Sequence, residues 1–67
     1  MVREPTRMLT GVLKSKGLDY FLEAEDADIF LIDVSYRYRR LIGCDVVVEG
    51  IPTGLYTLRV EHMALAP

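Results

Sequence analysis

Residues 18–34 read LDYFLEAEDADIFLIDV, and this stretch decides the fold. It contains two apolar segments of strand length, Leu18 to Glu25 and Ile29 to Val34, joined through the acidic stretch Glu25 to Asp28. The second segment is rich in the β-branched and aromatic residues that favour pleated sheet. Two such segments separated by a short turn predict an antiparallel β-hairpin.

The alternation of side chains gives this hairpin an inner and an outer face, because successive residues of a strand point to opposite sides of a sheet. We expect the inner face to carry the alternating apolar positions, which are Tyr20, Leu22, Ala24, Phe30, Ile32 and Val34. The opposite choice would bury Asp19, Glu23 or Asp33 without a partner. Three large apolar side chains then point outward, and they are Phe21, Ile29 and Leu31.

Three more strands are predicted outside the hairpin, because single glycines and a proline separate further apolar runs of strand length. They cover Thr6–Lys14, Cys44–Gly50 and Leu55–His62. Gly11, inside the first of them, is typical of a bulge or a sharp bend in a barrel. The inner positions of the other two are predicted to be Val46, Val48, Gly50, Tyr56, Leu58 and Val60. Residues Ile51–Gly54 between them are predicted to form a turn in which Gly54 takes a positive φ.

A short helix is predicted between the third and fourth strands. Ser35 can cap its first turn, and the helix then extends through Ile42 and ends at Gly43. At helical spacing Tyr38, Leu41 and Ile42 share one face, which we expect to lie against the sheet.

These elements predict a mainly β fold, a five-stranded and closed or nearly closed barrel with one short helix between strands 3 and 4. The 67 residues form a single domain, in which residues 1–5 and 64–67 are expected to be loosely ordered tails. A domain of about this size buries only roughly 60% of the surface that its unfolded chain exposes. Association with a second copy would therefore add to its stability.

The order of three strands, a short helix and two strands resembles an OB-fold, and several stretches of the sequence strengthen the resemblance. These are Leu9–Leu13 (LTGVL), Tyr20–Leu22 (YFL), Leu41–Gly43 (LIG), Val46–Gly50 (VVVEG) and Gly54–Val60 (GLYTLRV). The chain looks like one of the compact bacterial OB-like domains of unknown function, over nearly its whole length from Leu9 to Met63. The shared motifs are structural glycines and core valines, so they specify a barrel and not a ligand.

The resemblance also implies a binding face. OB-folds commonly bind single-stranded nucleic acid or oligosaccharides across strands 2 and 3, between the loops that follow strands 1 and 4. On this chain the face would carry Phe21, Ile29 and Leu31, with Lys14, Lys16 and Thr53 in the flanking loops. The third strand has the expected inner aromatic residue, Phe30, but departs from the pattern because its outward residues are apolar as well.

The outward residues Phe21, Ile29 and Leu31 form an apolar stripe. Such a patch is rare on a monomeric protein unless it is functional. We therefore predict a non-enzymatic binding or interaction module that docks a protein partner through the stripe, and a second copy, in a dimer as the first expectation, is the simplest partner. The alternative is that the chain covers the stripe with its own ends, Met1–Pro5 or Ala64–Pro67.

The distribution of charge suggests an alternative function, although the formal net charge is −2. Residues 36–42 contain three arginines and no acid, and such a segment could contact single-stranded nucleic acid or another anion. The cations available for this contact are Lys14, Lys16, Arg37, Arg39 and Arg40. Three acids on the outer face of the hairpin oppose this function, because nucleic-acid affinity depends mainly on cations that neutralise phosphates.

No catalytic residue, metal ligand or cofactor is predicted, so we expect no enzymatic activity. Cys44 is the only cysteine and His62 the only histidine, which rules out an intrachain disulfide and a structural zinc site. The acids of residues 25–28 lack the spacing of a calcium loop, and His62 has no partner in a known catalytic arrangement. The chain has no run of about 18 apolar residues and no secretory signal, which predicts a cytoplasmic protein without a membrane partner.

Overall fold

The structure, a computed structural model, describes residues 5–26 and 28–67. This part of the chain forms five strands and a short 3-10 helix. They are β1 (Arg7–Lys16), β2 (Asp19–Ala24), β3 (Ile29–Asp33), the 3-10 helix (Tyr36–Leu41), β4 (Asp45–Gly54) and β5 (Thr57–Leu65). The strands close into a barrel, which confirms the predicted mainly β, five-stranded fold with a short helix between strands 3 and 4.

The strand order around the barrel is β1–β2–β3–β5–β4, and β4 closes back onto β1. Neighbouring strands are antiparallel except β3 and β5, which are parallel. β1 pairs with two strands and so closes the barrel: residues 7–12 pair with β4 and residues 11–16 pair with β2. A Cβ atom on Gly11, where the two pairings overlap, would lie 2.2 Å from the carbonyl oxygen of Glu23. Glycine is therefore required where β1 approaches β2 most closely.

Buried apolar side chains fill the interior of the barrel. Among the described residues they are Leu13, Leu22, Phe30, Ile32, Val46, Val48, Leu58 and Met63. Tyr20, Ala24 and Val34 are half-buried and pack against this core. The predicted inner faces of the second, third and fourth strands are therefore confirmed.

The predicted turn at Ile51–Gly54 is wrong, because β4 continues through Gly54 and the chain turns at Leu55–Tyr56. Gly54 consequently does not take a positive φ. Tyr56 is not an inner residue either, since it lies in this turn and is 54% exposed, with its ring 5.7 Å from that of Phe30. The remaining predicted inner residues of the last strand, Leu58 and Val60, do contribute to the core.

The last strand is longer than predicted and changes face once. Its pairing with β4 skips Glu61, which is therefore an additional residue in β5. This bulge keeps His62 at the surface and buries Met63. β5 then continues through Leu65, so residues 64–65, expected as part of a loose tail, belong to the sheet. Residues 1–4 of the other expected tail lie outside the described residues.

The helix prediction is correct in position but needs one correction. The hydroxyl oxygen of Ser35 accepts a hydrogen bond from the backbone N–H of Arg37 at the start of the 3-10 helix. A 3-10 helix has three residues per turn, so Tyr38 and Leu41 lie above one another and both pack against the core. Ile42 lies one residue beyond this helix and is exposed, so it does not share the inner face.

Candidate functional site

The outward residues of β1, β2, β3 and β5 form one continuous surface, which we call the outer face. Its middle is an aligned series of paired residues. Lys14 lies opposite Phe21, Phe21 opposite Leu31, and Leu31 opposite Thr57. Ile29 lies next to this series, opposite Glu23. The structure thus brings the three residues of the predicted stripe together on neighbouring strands.

The stripe is accessible in the described part of the chain. Ile29 is 56% exposed and Leu31 is 43% exposed, whereas Phe21 is half-buried. Phe21 and Leu31 are direct cross-strand neighbours, so their side chains form a continuous apolar surface. Residues 64–65, one of the candidate covers, are paired with β4 in the sheet.

The charges of the outer face cancel. Lys14 forms an ion pair with Glu23 across β1 and β2. Beyond the stripe, the register places Lys16 opposite Asp19 on one side and Asp33 opposite Arg59 on the other. At these paired positions the outer face carries three cationic and three anionic side chains, and it does not attract one sign of charge over its whole width.

Two depressions flank the stripe. The first, on the side of β1, has a volume of about 300 Å³ and is lined by Lys14, Ser15, Lys16, Phe21, Glu23 and Ile29. The second, on the side of β5, has a volume of about 500 Å³. Its lining includes Leu18, Asp19, Leu31, Asp33, Thr53 and Thr57. We call the second depression the acidic cleft, because it contains two carboxylates.

The tips of two hairpins beside the outer face carry leucines that the sequence analysis did not identify as surface residues. Leu18 is 98% exposed in the turn between β1 and β2, and Leu55 is 87% exposed in the turn between β4 and β5. Both positions were predicted within strands. The glycines that precede them, Gly17 and Gly54, were a signal that the chain turns there, and leucine is unusual in tight turns.

The five predicted cations do not form one surface. Lys14 and Lys16, expected in the loop after the first strand, belong to β1 instead, because this strand extends through Lys16; they line the depression beside Phe21. The arginines lie at the 3-10 helix and line a separate depression of about 630 Å³ together with Ile42; they are Arg37, Arg39 and Arg40. Thr53, expected in a loop, belongs to β4 and donates a hydrogen bond from its hydroxyl to that of Thr57, at 2.9 Å.

Arg37 interacts with the side chain of the adjacent residue, Tyr38. Its Nη2 donates a hydrogen bond to the Tyr38 hydroxyl at 3.2 Å, and its guanidinium carbon lies 5.1 Å from the centre of the Tyr38 ring. This hydrogen bond, with the accompanying electrostatic attraction, raises the pKa of Arg37 above its ordinary value. Arg37 therefore keeps its positive charge and has less freedom than a fully solvated arginine.

Other chemistry is sparse in the described residues. No group of three or more His, Cys, Asp or Glu side chains among them is arranged to hold a metal ion. Cys44 is a half-buried free thiol, and His62 is exposed. None of the helices in the described part of the chain has the length and apolar character needed to cross a membrane.

Comparison with known proteins identifies a family but no characterised relative. Residues 10–66 match the model of a family described as "Protein of unknown function (DUF5818)". No curated protein and no solved structure matches the chain. The matched range includes β2 to β5 and most of β1, so the barrel is the region that this family shares.

Proposed function

We propose that this chain, which belongs to the DUF5818 family, is a non-enzymatic OB-like interaction module that self-associates through its outer face. Two features support the OB-like description. The strand order is β1–β2–β3–β5–β4 with β3 parallel to β5, and a short helix connects β3 to β4. In OB-folds the surface over strands 2 and 3 is the usual binding face, and the stripe lies on that surface here.

The observation that carries the proposal is the pairing of Phe21 with Leu31, beside the exposed Ile29, on the outside of a closed barrel. The inside of the barrel already has a complete core, so these side chains are not needed to fill it. Removal of about 300 Å² of apolar surface from water contributes on the order of 7 kcal/mol before the entropy of association is subtracted. That gain is available only when a partner covers the stripe.

A second copy of the chain is the partner that the charges favour. At the paired positions around the stripe the outer face has as many cationic as anionic side chains, so a strongly charged polymer gains little from it. A surface with both signs can instead match another copy of the same protein. Stable interfaces bury about 800 Å² per partner, about one sixth of the 5009 Å² of accessible surface. The contact must therefore extend beyond the stripe to the depressions on either side.

Single-stranded nucleic acid is the alternative ligand, and the exposed arginines at the 3-10 helix are the observation in its favour. Two features oppose it. Lys14 is paired with Glu23, and the lysines line a different depression from the arginines. An extended strand would have to cross the neutral outer face to contact both groups.

The substitution Leu31→Asp tests the proposal. It places a charge at the centre of the stripe, and we expect monomers of 7.6 kDa at concentrations where the wild-type protein is oligomeric. Multi-angle light scattering across a concentration series measures this mass. Leu65→Asp is the matched control, because Leu65 is similarly exposed at the end of β5, and it should assemble like the wild type.

Circular dichroism establishes that both variants retain the barrel. If wild-type protein is monomeric at all concentrations, or if Leu31→Asp assembles as well as Leu65→Asp, the outer face does not mediate self-association and the proposal is wrong.

A further inference from the structure

We propose that the surface seated in the acidic cleft is the arginine segment of a second copy, residues 37–42, so that copies join head to tail. This inference rests on the proposed self-association and specifies which surface the outer face receives. It follows from the complementary chemistry of two surfaces that the same chain carries, the acidic cleft and the arginine segment.

The carboxylates of the cleft lie side by side. Asp19 and Asp33 each stand one residue beyond the pair Tyr20–Ile32 on neighbouring antiparallel strands, so both occupy the outer face at the same level. Neither carboxylate has a side-chain hydrogen bond or ion pair to another described residue, although Lys16 lies opposite Asp19 and Arg59 lies opposite Asp33. Like charges in adjacent cross-strand positions destabilise a sheet, and a guanidinium group from a partner would add to the partial compensation that Lys16 and Arg59 provide from the opposite positions.

Apolar side chains stand beside these carboxylates. Leu31 and Leu18 both line the cleft, and Leu18 is the more exposed of the two. Leu55 projects from the neighbouring hairpin, which follows Thr53 of the cleft lining. A ligand that matches the cleft therefore combines positive charge with apolar surface, as a basic segment of a protein does and a phosphate chain does not.

The arginine segment has this combination. Arg40 and Ile42 are both exposed and line one depression together with Arg37. Guanidinium groups pair with carboxylates through two parallel hydrogen bonds, and an adjacent isoleucine can pack between leucines. The depression at the arginine segment and the acidic cleft have no lining residue in common, so one copy can present both surfaces at once.

A contact between two different surfaces has a consequence for assembly. Where a pair makes this contact only once, one cleft at one end and one arginine segment at the other remain unoccupied, so the contact repeats until a ring closes or an open chain grows. Contact of the outer face with itself about a two-fold axis would instead stop at a dimer.

Mixing two defective variants tests the inference. Leu31→Asp has a damaged cleft and an intact arginine segment. The double variant Arg40→Glu with Ile42→Asp has an intact cleft and a damaged arginine segment. We expect each variant alone to be monomeric, and their mixture to form a one-to-one complex of twice 7.6 kDa that grows no further. Native mass spectrometry measures both the stoichiometry and the composition of the complex.

The charge-swapped variant Asp33→Arg with Arg40→Asp is the matched control. Each single change should weaken wild-type assembly by about tenfold or more, and the combination should restore it in part. Assembly of the wild type should also weaken as the salt concentration rises from about 50 to about 500 mM. The reason is that the contact includes exposed charge pairs, which salt screens.

Three results would overturn the inference. If the Arg40→Glu and Ile42→Asp variant assembles like the wild type while Leu31→Asp does not, the outer face meets itself or another surface, and only the head-to-tail mode fails. If that double variant keeps its assembly but loses binding to a fluorescent single-stranded DNA, the arginine segment is a nucleic-acid surface. If both variants still assemble like the wild type, the proposed function is wrong as well.

Discussion

The β2–β3 and β4–β5 hairpins contribute similarly to the inside of the barrel and differently to its outside. Inward, the first supplies Leu22 and the second supplies Leu58, both almost completely buried. Outward, the first carries the apolar stripe, whereas the paired positions of the second include Glu49, Arg59 and His62. Packing thus explains the inner positions of both hairpins. On the outside, the apolar residues of the second hairpin, Val47 and Ile51, are half-buried among charged residues, whereas Ile29 and Leu31 of the first are exposed beside Phe21.

The largest expected effect tests the similarity of the two inner faces. Leu22→Ala and Leu58→Ala should each lower the free energy of unfolding by about 2–5 kcal/mol, because each leaves a cavity in a small core. Urea denaturation followed by circular dichroism, at protein concentrations that keep the chain monomeric, measures this change. Leu31→Ala serves as the outer control, with an expected change within about 0.5 kcal/mol. A large loss of monomer stability in Leu31→Ala would show that the stripe belongs to the core.

The next largest effect concerns the stability contributed by β1, the strand that pairs with both hairpins. Gly11→Ala should lower the free energy of unfolding by about 1–3 kcal/mol, because the new Cβ meets the backbone of β2 at 2.2 Å and the strands must separate. Gly17→Ala is the matched comparison. Gly17 has φ of 63° and open space around it, so the cost there is only conformational, about 1 kcal/mol.

Thermal and urea unfolding of the two glycine variants, measured side by side, separate these causes. Equal losses in both variants would mean that the approach of β1 to β2 adjusts easily, and that Gly11 does not determine how the barrel closes.

The smallest effect concerns the charges of the outer face. A double-mutant cycle with Lys14→Ala and Glu23→Ala should give a coupling free energy of only about 0.2–1 kcal/mol, since the side chains are 55% and 45% exposed. The coupling should decrease in high salt. A coupling above about 2 kcal/mol would show that this ion pair organises the outer face and is not merely solvated charge.

The alternation of apolar and polar residues was sufficient to identify much of the site. It placed Phe21, Ile29 and Leu31 on one outward surface, because burial of the opposite set of residues would have been unfavourable for Asp19 and Glu23. It did not identify Leu18 and Leu55, because an apolar residue beside a strand is assigned to the strand unless the turn is known. The turn at Leu55 depends on how far β4 extends, and pairing with β5 decides that.

The position of the arginine segment relative to the lysines was also inaccessible to sequence patterns. Lys14 and Arg37 are separated by two strands in the chain, and their placement around the barrel determines whether they share a surface. The pairing of Lys14 with Glu23 follows from the register of β1 against β2, which a single sequence does not specify for residues at the surface.

The sequence by itself determined the number of strands, the helix between the third and fourth, and the residues of the hairpin that face inward. Each of these follows from local periodicity and from the cost of burying charge, which act within a few residues. Only the tertiary structure decided that β4 runs through Gly54, that a bulge at Glu61 buries Met63, and that two leucine-tipped hairpins stand beside Asp19 and Asp33. These features depend on pairing between residues far apart in the chain, and barrel closure has to satisfy all of those pairings at once.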